Sequence, residues 1–424
     1  MIEFRKTVLD NGLRIIVAPQ EDNPAVTISV LVETGSKYEN KDNNGISHFL
    51  EHMVFKGTEK RPKAIDISYE LDSIGAAYNA FTWYEMTGYW AKVARKHLDI
   101  ALDVVSDIYL SQVFDEKEIE KERGPITEEY NMIEDTPARK VHINFANLLY
   151  GDQPAGWPVG GPKENIKKIM RDDLIAYKKD HYVAEATVVV VAGSVDEDEV
   201  VEKIKEYFKN IPTGKKVGKV AVDDSQDGPA LKIEKKDSDQ VHMCLGVRAF
   251  KATDDRAFAI GVLGTILGSG ASSRLFDKVR EEMGAVYYIG DRIVSLSDHG
   301  SFYVSAGCGK DKLEEVIKAI LAEFKKLKEE KVGEKELKKA KDYIVGRMML
   351  SLETSDDVAD FYGNQESMHE EILTPEEQAK RFQEVTADEI MDIAKEIFVN
   401  ERLNLSLVGP IDESESLKSI LKID

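Results

Sequence analysis

The spacing of apolar residues along the chain changes from stretch to stretch, and each spacing predicts a different element. Leu9-Asp10-Asn11-Gly12-Leu13 sets Asn-Gly between apolar positions, a tight-turn signal leading into a strand at Arg14-Ile15-Ile16-Val17. The β-branched run Val26-Thr27-Ile28-Ser29-Val30-Leu31-Val32 predicts a long strand. Glu39 to Gly45 is rich in Asn, Asp and Lys and predicts a loop. Just beyond it Ile46, Phe49, Leu50, Met53 and Val54 fall on one arc of a helical wheel. A second helix is expected over Pro62 to Leu71, paired strands between Tyr78 and Val93, and an amphipathic helix from Lys96 to about Leu110.

The pattern then repeats. Gly75-Ala76-Ala77-Tyr78 recurs as Gly284-Ala285-Val286-Tyr287, Glu116-Lys117-Glu118-Ile119 as Glu334-Lys335-Glu336-Leu337, and Val191-Ala192-Gly193 as Leu407-Val408-Gly409, displaced by 209, 218 and 216 positions. Chance matches would scatter, whereas a near-constant displacement in unchanged order marks a duplicated unit. The expected fold is α+β: two homologous domains, each a mostly antiparallel sheet with helices packed on one face. Pro212, Gly214, Gly218, Gly228 and Pro229 break both periodicities between them, which sets the first domain at 1–211, a linker at 212–230 and the second domain at 231–424.

The opposite arc of the first apolar helix holds only Ser47, His48, Glu51 and His52. His48 and His52, four apart, stack on one face with Glu51 beside them. Two imidazoles one turn apart suit zinc, and a neighbouring carboxylate that does not ligate can act as base toward a zinc-bound water. The plain alternative is a solvated helix face, which would usually carry lysine. The corresponding apolar stretch of the second copy, Ala259 to Leu267, has neither histidine nor carboxylate, so one metal per chain is expected. A catalytic zinc needs a third ligand, and the acidic stretch Glu122 to Glu129 offers Glu122, Glu128 and Glu129.

Charge and cysteine content narrow the class. Against 57 Lys and Arg stand 78 Asp and Glu, a net charge of −21 that argues against a nucleic-acid partner and against docking on anionic membrane. An acidic chamber would favour basic peptides, although a merely solubilising surface accounts for the same excess. The first residues lack an apolar signal core and no apolar run approaches a membrane span, so a cytoplasmic location is expected. Cys244 and Cys308 read as buried free thiols. His97, His142, His181, His242, His299 and His369 have no ligand-spaced partner and read as structural or surface residues. Gly268 to Ser273 is glycine-rich but lacks the lysine and spacing of a phosphate loop.

The order H-x-x-E-H is that of the inverzincins, and His48-Phe49-Leu50-Glu51-His52-Met53 followed by Phe55-Lys56-Gly57-Thr58 resembles the motif of the insulinase and pitrilysin family of zinc metallopeptidases. The likeness covers nearly the whole chain and is greatest to the short members and the mitochondrial processing peptidase subunits. It implies Glu129 as third zinc ligand and Glu122 as accessory active-site carboxylate. The chain departs from the family in having Gly124-Pro125 between them, and proline within a helix removes a backbone donor; Glu128 stands as the alternative ligand. The resemblance further implies a substrate-edge strand at Asn79-Ala80-Phe81, where an extended peptide adds by backbone hydrogen bonds, and a substrate-contacting pair, Arg280 and Tyr287, in the second copy; on the residues alone those two read as a surface ion pair and a core tyrosine. It implies a Zn2+ endopeptidase for unfolded peptides, with Glu51 as general base, working as a homodimer, or a heterodimer with a related subunit, that closes as a clamshell. The rival within the family is a non-catalytic structural or peptide-holding subunit, a role usually accompanied by a broken motif.

Overall fold

The computed structural model describes residues 2–368, 371–412 and 415–423; His369 lies outside them. The chain forms two compact units, neither continuous in sequence. The first comprises Met1–Tyr130, Trp157–Val220 and Met349–Glu376, the second Asn131–Gly156, Ala221–Met348 and Glu377–Asp424.

In the first unit the Asn11-Gly12 turn joins β1 (Arg5–Val8) to β2 (Arg14–Pro19), and the β-branched runs become β3 (Ala25–Val32), β4 (Ala77–Thr82), β5 (Thr87–Ala94) and β6 (Thr187–Gly193). They form one sheet in the order β1-β2-β6-β3-β5-β4, antiparallel throughout except for the parallel pair β2–β6. The central strand β6 is buried along its whole length, which is why its sequence, Thr-Val-Val-Val-Val-Ala-Gly, is continuous rather than alternating. At the edge, β4 pairs only with β5.

The second unit repeats this plan. Its strands are β7 (Ala230–Lys235), β8 (Val241–Ala249), β9 (Val286–Ser295), β10 (Gly300–Cys308) and β11 (Asn404–Gly409), in the order β7-β11-β8-β10-β9, with β7–β11 the parallel pair. Substituting β7 for β2, β8 for β3, β9 for β4, β10 for β5 and β11 for β6 maps one sheet on the other, β1 being the extra strand. The likeness reaches single residues. Gly75 and Gly284, which precede the matching edge strands, both adopt the left-handed conformation, at φ 67° and 57°, where a side chain would be strained. The structure is thus the duplicated α+β fold expected.

Local helices pack on one face of each sheet. In the first unit Val26, Ile28, Val30 and Val32 of β3 join a core with residues of helices Ile46–Met53, Leu98–Leu110 and Glu197–Tyr207. The opposite face takes a helix from much later in the chain, Ser355–Met368. There Thr27 and Ser355 share a buried hydroxyl hydrogen bond of 2.8 Å, and Gly363 approaches so closely that a Cβ on it would lie 2.5 Å from Leu31. In the second unit the equivalent face, bearing Cys244, Tyr303 and Val408, is covered by Val141, Phe145 and Leu149 of helix Pro137–Tyr150. Each sheet is therefore finished by a helix from the other half of the sequence. Cys244 and Cys308 are buried and unpaired, and no helix among the described residues is long and apolar enough to cross a membrane.

Candidate metal centre

Helix Ile46–Met53 carries the motif, and its start is built with care. Gly45 takes φ 102° at the cap, and a Cβ there would sit 2.7 Å from the Gly160 carbonyl oxygen. The buried Glu39 carboxylate accepts the backbone N–H groups of Gly45 (2.7 Å) and Ser47 (2.8 Å) and the Asn44 side-chain amide (2.8 Å). A carboxylate thus satisfies donors that a helix N-terminus leaves open and lies at the positive end of its dipole. Burial raises the Glu39 pKa, with these hydrogen bonds opposing. Ile46, Phe49, Leu50 and Met53 are buried beneath, so His48, Glu51 and His52 are held on the other face.

The second contribution comes from helix Glu116–Glu134, with Pro125 in its interior. Ile119, Glu122 and Ile126 are buried on one stripe that continues to Glu129, while Gly124, Pro125 and Glu128 face solvent. The proline is tolerated for that reason: the carbonyl it leaves without a partner lies on the wet side. Arg123 fastens this helix by donating to the carbonyls of Ile166 and Ile169, its guanidinium 5.6 Å from the centre of the Phe49 ring in the motif helix.

The two helices bring His48, His52 and Glu129 together with one donor atom from each within 4.8 Å of the others. The rings of His48 and His52 are 4.6 Å apart, and Glu129 Oε2 lies 3.6 Å from His48 Nε2 and 3.4 Å from His52 Nε2. Glu129, and not the outward Glu128, makes this approach. His52 Nδ1 contacts Glu122 Oε1 at 2.9 Å, and Glu122 in turn pairs with Lys56 at 2.6 Å. That chain fixes the His52 ring with Nε2 toward Glu129. His48 Nδ1, by contrast, is buried with no partner among the described residues. This group is the one cluster of potential metal ligands among the described residues.

Electrostatics separate the two imidazoles. Burial, reinforced by the nearby His52 and opposed by Glu129, lowers His48 to about 4. Burial also opposes charge on His52, but the hydrogen bonds to Glu122 and Glu129 overcome it and raise that residue to about 9. Glu51 is raised by burial, with the charge of His52 and a 3.0 Å hydrogen bond from Thr82 Oγ1 opposing. Glu122 is lowered: burial works against the shift, and the His52 and Lys56 bonds exceed it.

Thr82, Lys56 and Glu39 escaped the sequence reading. Lys56 stands inside the quoted motif but beyond the end of its helix, and it meets Glu122 from a turn; Thr82 and Glu39 gave no local signal, because their roles depend on tertiary contact. Asn79, Ala80 and Phe81 lie on the edge strand β4, and the Ala80 N–H is taken by the Asn79 side chain at 2.9 Å. Arg280 and Tyr287 belong to the second unit. Both are exposed, Arg280 lying over the Phe276 ring, and no hydrogen bond joins one to the other among the described residues. His142 contacts Tyr303 Oη at 3.0 Å, and His181 stacks on Tyr177; neither belongs to a cluster of potential metal ligands among the described residues.

A His-His-Glu group that could hold a metal ion thus stands on a duplicated α+β fold, and comparison with known proteins places that fold in a family. The family profile described as insulinase (peptidase family M16) matches residues 14–163, and that of the M16 inactive domain matches 168–344. Uncharacterized zinc proteases of Streptomyces coelicolor and Bacillus subtilis are 32% and 33% identical, the match covering 97% and 96% of this chain and 91% and 98% of theirs. Among solved structures, a protease from Helicobacter pylori superposes with a TM-score of 0.89 at 23% identity, over 96% of this chain and all (100%) of that one. A peptidase M16 inactive domain protein from Pseudomonas fluorescens gives 0.89 at 16% identity, over 98% and 100%. The chain belongs to the insulinase, or M16, family, in its short form of two homologous domains.

Proposed function

We propose that the protein is a zinc-dependent endopeptidase acting on unfolded peptides, with His48, His52 and Glu129 as metal ligands. The observation that carries this reading is the convergence of those three donors with Glu51 on the same helical turn. Ligands about 2.0–2.1 Å from a tetrahedral ion stand about 3.4 Å from one another, which suits the 3.4 and 3.6 Å separations of Glu129 from the two imidazoles. The donor set, two nitrogens and one carboxylate oxygen, is that of a catalytic rather than a structural zinc. Once bound, the ion would supply Lewis acidity that activates a water and polarises a peptide carbonyl.

The chain's own residues do the rest. Glu51 takes the proton of the attacking water and returns it to the leaving amine. Thr82 orients Glu51 through its Oγ1 bond, and Glu122 positions His52 through Nδ1. The free edge of β4 receives the substrate backbone, the peptide displacing the Asn79 side chain from the Ala80 N–H. Because recognition there uses main-chain groups, sequence demand on the substrate is slight. We further propose a homodimer in which Arg280 and Tyr287 of one chain serve the metal group of the other, since they sit exposed on the unit that has no cluster of potential metal ligands among its described residues.

The intact motif favours catalysis over a purely peptide-holding subunit. The test is Glu51→Gln, an isosteric change that removes the base and leaves the ligands. We expect stoichiometric zinc by atomic absorption and loss of peptide cleavage by at least about 100-fold. Undiminished cleavage by the pure, metal-replete variant would overturn the mechanism; zinc with no cleavage in the unaltered protein would favour the subunit reading.

A further inference from the structure

We propose that Asn11 is a site of spontaneous deamidation, converting to aspartate and isoaspartate, and that Glu39 holds the identical dipeptide Asn44-Gly45, at the start of the motif helix, against the same reaction. The inference does not rest on the peptidase reading.

Asn-Gly occurs twice in the chain, at Asn11-Gly12 and at Asn44-Gly45. In such a dipeptide the glycine nitrogen attacks the asparagine Cγ, and the missing Cβ lets the two approach. The new N–C bond closes a succinimide, the Cγ–Nδ2 bond breaks, and ammonia leaves with the proton of the glycine amide. Water then adds to either carbonyl of the ring and reopens it as aspartate or isoaspartate. Negative charge gathers on Oδ1 during the attack, so a donor already aimed at Oδ1 favours the reaction. Bonds that hold the nucleophile and the leaving group out of reach of one another oppose it.

The two sites are held in opposite ways. Asn11 is half-buried in the turn between β1 and β2, and its Oδ1 accepts the Leu13 N–H at 3.1 Å, the contact that supports charge on that oxygen. Its Nδ2, the leaving group, donates to nothing among the described residues. The restraint there is a single neutral bond of 2.8 Å from the Gly12 N–H to the Leu9 carbonyl. Asn44 is buried, and it is held by its nitrogen instead. Nδ2 donates to Glu39 Oε2 at 2.8 Å and to the Pro158 carbonyl at 3.2 Å. The Gly45 N–H donates to the same Glu39 oxygen at 2.7 Å. One carboxylate oxygen therefore binds both the nucleophile and the leaving group, through charge-assisted bonds stronger than neutral ones, and attack on Cγ requires both to break. The backbone is fixed as well, since the Asn44 carbonyl accepts the Asn165 amide at 3.1 Å.

The placement suits the fold. Aspartate in place of Asn44 would set a second carboxylate against Glu39 at the head of the helix that carries His48, Glu51 and His52. The extra main-chain methylene of isoaspartate at residue 11 falls in the turn from β1, an edge strand that pairs with β2 alone.

The test is incubation of the full-length protein in mildly alkaline buffer, with and without urea, followed by mass spectrometry of its tryptic peptides. Isoaspartate is counted separately with protein isoaspartate methyltransferase. In urea we expect the two sites to convert alike. In the folded protein we expect Asn11 to convert at least about tenfold faster than Asn44, a modest share of what one well-placed donor can contribute. Glu39→Ala should raise the folded-state rate at Asn44 by about tenfold or more, and Glu39→Gln, which keeps the size and loses the charge, by a smaller factor of at least about threefold; the second variant serves should the first not fold. Equal rates at the two sites of the folded protein would overturn the assignment. So would an Asn11 that stays intact while the urea-treated chain converts, or a folded Glu39 variant that leaves Asn44 as slow as before.

Discussion

Glu122 and Glu129 lie seven positions apart on one helix and do different work. Glu129 Oε2 faces both imidazoles, whereas Glu122 reaches only the far nitrogen of His52. Removing a group that orients a ligand typically lowers metal affinity 10- to 100-fold. We therefore expect Glu122→Gln to lose zinc about that much more readily, Glu129→Gln to fail to retain it in dialysis against a mild chelator, and Glu128→Gln to behave as the unaltered protein. Faster stripping of Glu128→Gln than of Glu129→Gln would show that the wrong glutamate had been chosen. The histidine pair and Glu51 were legible from spacing, since four residues make one helical turn. Spacing alone favours Glu129 over Glu128 only weakly, and it is the resemblance to the family that names Glu129: in so acidic a stretch the face each presents is decided by what the helix packs on, here Ile119 and Ile126.

Elements show where local rules hold and where context relaxes them. Gly124-Pro125 reads as a helix breaker, yet the helix runs through it because both residues face water. Beyond its chain neighbours nothing lies within 4 Å of where a Cβ on Gly124 would stand, but the next residue is Pro125, whose ring disfavours the helical conformation of a preceding residue that carries a Cβ. Gly124→Ala should therefore lose the gain of about 0.5–1 kcal/mol that the change brings in an ordinary helix and leave stability unchanged or lower. Gly45→Ala should destabilise by more than about 1 kcal/mol, because its positive φ and the nearby Gly160 carbonyl leave no room. Urea midpoints of the two variants settle both. Helix Arg171–His181 adds a pH effect. Burial lowers His181 to about 4, with Asp180 opposing, against an ordinary value near 6.5 in the unfolded chain. Between about pH 6.5 and 4 the unfolded state thus binds the extra proton, so stability falls as pH falls through that window and levels off below it. His181→Gln should flatten this slope by on the order of 2 kcal/mol across the window, read from denaturation at each pH; an unchanged slope would mean that His181 titrates alike in both states.

At the scale of the molecule, the constant displacement of the repeats announced the duplicated sheets, and the strand order of the two units answers it strand for strand. What periodicity could not announce was which helix finishes which sheet, since Pro137–Tyr150 and Ser355–Met368 carry an apolar stripe that fits either. The proposed dimer is tested by complementation. Chains carrying Glu51→Gln are mixed with chains carrying both Arg280→Ala and Tyr287→Ala, and the mixed dimers are isolated. If the pair acts on the partner chain, one of the two sites is whole and cleavage returns to about half of normal; if it acts within its own chain, both sites are crippled. Mixed dimers as inactive as either parent, or a fully active monomer, would refute the shared arrangement. The late position of Ser355–Met368 also bears on how the protein is made. Thr27 and Leu31 belong to a face that stays uncovered until translation has passed residue 368, so a ribosome that has already made the motif helix still holds an unfinished sheet. Completion of the first unit is thereby deferred until most of the second has been synthesised.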